Sequence, residues 1–321
     1  MCGDMMENIA KIMQEMDKIS YGTVNKDGIN IFDIVDGEEQ FGKVYHLLSP
    51  QELLEKKIGV CWDQVELERK FFDEEKISNE TYFIYIDDRK FLPSHTFLVF
   101  YNNSKVYWFE HSWGYEKGIH EYNDLNELLK DVRQKFVLSR KDEIEQNDGV
   151  YLYKYKKPKF NITCDEFYDY IYTQQQIYIY DVKPATFNDL ERIKRYKYQT
   201  IVEYADSLNL EEKNKIKKYI DDNVKTLIDE YKNILYNKKI VGSYLVRKID
   251  EGYLLDEIFI EKEYRNKGIG TSIIQKIIRK YNDRLYLWVY KANQKAIILY
   301  KKLGFIVIDE TDTRFYMKIK K

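Results

Sequence analysis

Two groups of residues in this sequence have the types and spacing that chemistry needs. The first is the run Arg265, Asn266, Lys267, Gly268, Ile269, Gly270, Thr271, which joins an apolar strand, Leu254 to Ile260, to a segment carrying Ile273, Ile274, Ile277 and Ile278 on one helical face. Gly268 and Gly270 can adopt positive φ and let a ligand approach the backbone, while the unpaired N–H groups of a helix start point at negative charge. A pyrophosphate fits such a turn, with Arg265 and Lys267 adding positive charge beside it. Glycines before a helix also serve as plain turns and caps, so this run acquires meaning only from its context.

The second group is Cys61, His95 and Glu110. Cys61 follows Gly59 and Val60 at the start of a predicted helix, where free N–H groups and the helix dipole favour negative charge on sulfur. His95 begins the strand HTFLVFY and Glu110 ends the strand VYWFE, with a short turn at 102–104 between them. Adjacent antiparallel strands bring such residues side by side. Together they would supply nucleophile, base and orienting carboxylate. A buried packing cysteine is the alternative reading.

The elements that must position these groups follow from periodicity. Asn8 to Ile19 has helical spacing; Ser49 and Pro50 read as N-cap and first residue of a second helix ending near Gly59. Then come a helix over 61–72, strands over 81–86, 95–101 and 106–110, a helix over 124–135, a strand over 150–155 and a helix over 164–172. The TQQQ stretch at 173–176 is the candidate junction, dividing the chain into domains over 1–175 and 177–321. The second half reads strand, helix pair, strand, strand, glycine turn, helix, strand, helix, strand.

A further segment, Leu285 to Val289 leading into KANQKAIILYKKLGF, gives the glycine turn its context. Arg265-x-x-Gly268-x-Gly270, with Asn293, Ala296, Tyr300, Gly304 and Phe305 following in order, resembles the two signature motifs of the GNAT acyltransferase superfamily over about 140 residues. The resemblance implies a mixed-sheet α/β domain that takes acetyl-CoA as cosubstrate, without a metal, in an opening between the strands preceding the two motifs. It implies that backbone groups of Ile258 and Ile260 hold the pantetheine arm and that Arg265, Asn266, Lys267, Gly268, Ile269, Gly270, Thr271 and Asn293 bind the rest. Tyr300 would protonate the departing thiolate, and Glu257, or less readily Asp256, would take the proton of an attacking amine. Trp288 stands where some members that acetylate protein N-termini carry Glu. The acceptor that the resemblance implies is an amine-bearing small molecule, peptide or protein.

The segment from Leu47 to Trp113 resembles the transglutaminase-like cysteine superfamily, whose papain-like core puts Cys on a helix and His and Asp on successive strands. Gly59-Val60-Cys61-Trp62 is the matching cysteine motif, and Glu110 stands in for the usual Asp. The resemblance implies an α+β domain of a helix and an antiparallel sheet that cleaves or forms amide bonds. The Arg-Gly-Gly-x-Cys signature of arylamine N-acetyltransferases is absent. His111 and His120 read as surface or structural residues. A non-catalytic module that presents a peptide or protein to the acyltransferase is the competing reading of this half, and an interaction protein with two inactive pockets is the third.

At 321 residues the chain exceeds what one core organises, and 44% hydrophobic with 33% charged residues of mixed sign suits folded domains in both halves. A formal charge of −2 gives no reason to expect general binding to nucleic acid or anionic membranes. No apolar run approaches the ~20 residues of a membrane span, and the acidic start does not resemble a signal peptide, so the expected location is cytoplasmic. Cys2, Cys61 and Cys164, odd in number and far apart, suit free thiols in a reducing compartment.

Overall fold

A computed structural model describes residues 2–34, 37–87, 93–141, 149–204 and 209–320; of residues 2–4 and 37–39 only the backbone is described. The chain forms two compact units, Met1–Ile177 and Tyr178–Lys321.

The first unit runs α1 (Cys2–Met16), β1 (Ser20–Tyr21), α2 (Gly37–Val44), α3 (Pro50–Lys56), β2 (Ile58–Gly59), α4 (Cys61–Glu74), β3 (Asn79–Asp87), β4 (Ser94–Asn102), β5 (Lys105–Glu110), β6 (Gly118–Tyr122), α5 (Leu125–Ser139), β7 (Gly149–Tyr155), α6 (Cys164–Tyr172) and β8 (Gln175–Gln176). Six strands make an antiparallel sheet in the order β6-β5-β4-β3-β7-β8, and β1 pairs with β2 in a separate parallel pair. The core is aromatic: Trp62 lies flat on Phe167 at 4.4 Å between ring centres and meets Tyr45, Tyr168 and Phe83 edge-on or tilted. Ile9, Ile12 and Met16 bury the apolar stripe of α1 in the same cluster. Helix α3 starts as expected, with the Ser49–Glu52 capping box and Pro50 in its first turn, and Lys57 in the left-handed region ends it.

The second unit runs β9 (Asp181–Pro184), α7 (Leu190–Glu203), α8 (Leu210–Leu227), β10 (Lys232–Tyr236), β11 (Lys239–Ile249), β12 (Gly252–Ile260), α9 (Ile269–Tyr281), β13 (Leu285–Tyr290), α10 (Gln294–Lys302), β14 (Phe305–Glu310) and β15 (Arg314–Ile319). Its seven strands are ordered β14-β15-β13-β12-β11-β10-β9, and β12–β13 is the single parallel pair among them.

Several sequence expectations need correction. Gln175 and Gln176 pair with Lys154 and Tyr153, so the expected junction belongs to the first sheet; Ile177 adds a bond to the Leu152 carbonyl, and the units part after it. The second half has three strands between the helix pair and the glycine turn and two at its end, one more in each place than periodicity separated, because Asn237–Lys238 and the segment 311–313 are tight turns inside what reads as continuous chain. Helix α2 and strand β6 were not anticipated.

Candidate functional site

In the first unit, Cys61 is the first residue of α4 and is buried. The loop that delivers it is pinned from two sides. Asp63 accepts from the Val60 N–H (2.8 Å), the Leu48 N–H (2.8 Å) and the Tyr45 hydroxyl (2.7 Å); burial raises its pKa to about 7 against the pull of those donors. Gln64 donates to the Gly59 carbonyl (2.8 Å) and bonds His111 Nδ1 through Oε1 (2.7 Å). His111 is therefore a buried structural residue rather than a surface one, and His120 stacks on Trp108 at 4.6 Å.

His95 and Glu110 meet. His95 Nε2 and Glu110 Oε2 are 2.8 Å apart. Strand register explains the geometry: Leu98 pairs with Phe109, so Glu110 falls diagonal to His95, a step the longer glutamate side chain spans. The carboxylate is held by three further donors, Trp108 Nε1 (3.1 Å), the Ser112 hydroxyl (3.1 Å) and the Trp113 N–H (2.8 Å). With Nε2 engaged, Nδ1 is the ring nitrogen left for a second partner, and Cys61 acts electrostatically on the imidazole. Burial alone would lower the pKa of this histidine; the Glu110 carboxylate, assisted by Cys61, overrides burial and raises it to about 10. An open cleft of about 540 Å³, lined by His95, Ser94, Trp113 and Phe136, gives access. Sequence reasoning missed Glu68, a buried carboxyl on α4 whose pKa is pushed well up by burial and by Glu110. Its spacing from Cys61, two turns of helix, was the available signal.

In the second unit, β12 and β13 pair only through Tyr253–Leu255 against Leu285–Leu287 and then separate. A bulge in the β11–β12 pairing at Asp256 accompanies the separation. The opening is lined by Glu257, Ile258, Trp288, Asn293, Tyr300 and Lys197. Tyr300 is buried against Phe305, and burial together with Tyr204 raises its phenol to about 12, so it carries its proton at neutral pH. Gly268 takes the left-handed φ of 77° as the N-cap of α9, and among the described residues no side chain bonds the N–H groups of Ile269, Gly270 and Thr271, which precede the first helical bond from Ser272. Asn266 is also left-handed (φ 61°).

Other expected residues are engaged differently. Arg265 bonds the Ile260 carbonyl (2.9 Å) and forms a forked pair with Glu203, and Lys267 lies over the Tyr178 ring, so the charge beside the turn is partly committed. Asn293 caps α10 by accepting from the Ala296 N–H (3.1 Å). Glu257 is buried, which raises its pKa, and is ion-paired with Lys197, which lowers it; Asp256 pairs with Arg247 (2.8 Å). Lys197 was missed, although Leu190, Ile193 and Lys197 share one helical stripe and a lysine in an apolar stripe is a legible signal. Trp288 is partly exposed and stacks on Tyr316 at 4.5 Å.

Comparison with known proteins agrees for this unit. The acetyltransferase (GNAT) family model matches residues 186–305, which supports a GNAT acetyltransferase domain in the C-terminal half. The chain is similar to an uncharacterised N-acetyltransferase of Methanocaldococcus jannaschii (42% identical over 55 residues, 16% of this chain and 24% of the relative). It is also similar to a probable spermine N(1)-acetyltransferase of Bacillus subtilis subsp. natto (35% over 63 residues, 18% and 41%) and a thialysine N-epsilon-acetyltransferase of Sus scrofa (41% over 54 residues, 16% and 32%). The chain thus spans between 24% and 41% of the length of these relatives. Among solved structures, the PaiA N-acetyltransferase of Thermoplasma acidophilum in complex with coenzyme A aligns at 21% identity with a TM-score of 0.37, over 44% of this chain and 99% of that one. No family model matches the N-terminal half. No helix among the described residues is long and apolar enough to cross a membrane.

The His95 shift has a measurable sign. Its folded pKa lies above the unfolded value of ~6.5, so the stability its pair with Glu110 contributes is fully present below that pH and is lost as pH rises through about 10. Ring-nitrogen NMR should show His95 still doubly protonated at pH 8, and Glu110→Gln should bring its titration down. A wild-type ring that titrates near ~6.5 would refute the pairing.

Proposed function

We propose that the C-terminal domain transfers the acetyl group of acetyl-CoA to an amine by direct attack. The observation that carries this reading is the opening between β12 and β13, which brings Glu257, Ile258 and Tyr300 to one cavity, next to a helix start that has no side-chain cap. The pyrophosphate would take the free N–H groups after Gly268. The pantetheine would run along the exposed edge of β12 at Ile258 and Ile260, where the Ile260 carbonyl is already taken by Arg265, leaving its N–H and the groups of Ile258. The amine, neutral after giving its proton to Glu257 directly or through water, attacks the thioester carbonyl; collapse expels the CoA thiolate, which takes the Tyr300 proton, and the surplus proton shed by the new amide nitrogen restores the phenol. Burial of Glu257 strengthens it as a base, and Lys197 holds it in place. The spermine and thialysine acetyltransferases among the relatives act on amines by name, which supports an amine acceptor; small molecules, peptides and proteins remain candidates.

A second reading concerns the first unit: a transglutaminase-like domain in which Cys61 is the nucleophile, His95 its base and Glu110 the orienting group, cleaving or forming amide bonds. The 2.8 Å His95–Glu110 contact inside a buried network, with the imidazole coupled to the thiol, favours it over a passive binding module.

Tyr300→Phe should lower the turnover of acetyl transfer by at least tenfold with little change in affinity for acetyl-CoA, since the phenol acts only as the thiolate departs. Steady-state kinetics with a good amine acceptor decide this; an unchanged turnover removes Tyr300 from the mechanism.

For the first unit, iodoacetamide should modify Cys61 faster than Cys164, whose thiol burial pushes up to about 11. His95→Ala should abolish most of that advantage and Glu110→Gln part of it, as read by site-resolved mass spectrometry. Equal rates, or indifference to His95, would leave the first unit as a binding module.

A further inference from the structure

We propose that the Tyr21 hydroxyl is a catalytic hydrogen-bond donor at Cys61, placed to receive the charge that develops on a carbonyl oxygen as the sulfur adds to it. The inference rests on the reading of Cys61, His95 and Glu110 as a competent triad.

Tyr21 comes from a stretch that carries no helix or strand signal, yet the fold ties it to the cysteine loop. Ser20 and Tyr21 run parallel to Ile58 and Gly59, with Tyr21 opposite Gly59, two residues before Cys61. Ser20 N–H donates to the Lys57 carbonyl (2.8 Å) and Gly22 N–H to the Gly59 carbonyl (3.2 Å), bracketing Tyr21. Gln64, which also bonds the Gly59 carbonyl, secures the same point from α4. Tyr21 is half exposed and forms a wall of the cleft that contains His95 and Trp113, and its phenol feels both the Cys61 sulfur and Arg140. Burial and the neighbouring sulfur push the phenol pKa well above its ordinary value, so the group remains a donor at every pH at which the thiol would be tested.

The chemistry at this position is constrained. His95 already serves the thiol as base, and the phenol is too weak an acid to compete. The N–H groups of Cys61 and Trp62, which precede the first bonded N–H groups of α4, point outward from the helix start. A carbonyl carbon bonding to Sγ brings its oxygen between those N–H groups and the Tyr21 hydroxyl. In the step proposed, the Sγ lone pair forms the C–S bond, the carbonyl π pair moves to oxygen, and Tyr21 donates a hydrogen bond to that oxygen without giving up its proton. Collapse restores the carbonyl and expels the leaving group, and His95 keeps the proton taken from the thiol until the leaving group or water claims it. Such a donor acts only where an oxyanion forms.

Two reagents separate this role from a structural one. 4-Nitrophenyl acetate acylates Cys61 through a tetrahedral oxyanion and releases 4-nitrophenolate; iodoacetamide alkylates the same sulfur at a saturated carbon and forms none. In the full chain, with Cys61→Ser as background, Tyr21→Phe should slow acylation by about 10- to 100-fold. Alkylation of Cys61 should stay within about twofold of wild type or accelerate, because only a hydrogen bond to sulfur is lost. Acylation of Tyr21→Phe at the wild-type rate, or a parallel loss of both reactions, would overturn the inference while leaving the triad standing. Wild-type alkylation that ignores His95→Ala would overturn the triad and this inference with it.

Discussion

The C-terminal site depends on how little of the parallel pairing between β12 and β13 is made. Three residue pairs are joined, and beyond Leu255 and Leu287 each strand leaves backbone groups for something other than its neighbour. Buried backbone groups need partners, so an opening inside a sheet persists only where a ligand or solvent satisfies them. The Asp256 bulge turns consecutive residues of β12 to different tasks: Asp256 pairs with Arg247, Glu257 with Lys197, and Ile258 lines the gap. Tyr300, on the helix after β13, closes the other wall.

The two units share a device in how their helices start. Helices α3, α5, α6, α8 and α10 open with Ser49, Asp124, Thr163, Asn209 and Asn293, whose side chains each accept from a first-turn N–H. Helices α4 and α9 open with Val60 and Gly268 and have no such bond. A cap uses up donors that an anion would otherwise meet. The two helix starts that carry the proposed chemistry, at Cys61 and at the glycine turn, are thus ones at which the first-turn donors are not taken by an N-cap side chain. In each, the loop is held by other means: Asp63 and Gln64 brace Gly59 and Val60, and Arg265 ties the turn to Ile260 and Glu203.

What could be read from sequence alone follows from the range of the interactions involved. Helix α6 over Cys164–Tyr172, the cap at Ser49, and the strands bearing His95 and Glu110 come from local periodicity and turn chemistry, and their expected and observed positions agree within a few residues. The diagonal meeting of His95 with Glu110 was accessible because the two strands are joined by a short turn, which leaves few registers. Lys197 and Tyr21 were not singled out. Lys197 pairs with Glu257 across sixty positions, and Tyr21 is set opposite Gly59 by a two-residue parallel strand too short to leave a pattern. The junction was misplaced because polar Gln175 and Gln176 form an edge strand, and edge strands need no apolar alternation.

The central claim is that the turn after β12 and the start of α9 form an acyl-CoA site, and titration calorimetry of acetyl-CoA into the full chain tests it most directly. Gly268 sits at a φ of 77°, a conformation that a β-branched residue resists, so Gly268→Val should displace the first-turn N–H groups while sparing the Ile273, Ile274 and Ile277 core face. The account predicts saturable binding to the wild-type chain and its loss in Gly268→Val, with circular dichroism and thermal unfolding of the variant close to wild type. Undiminished affinity in the variant, or no binding to the wild-type chain, would contradict it.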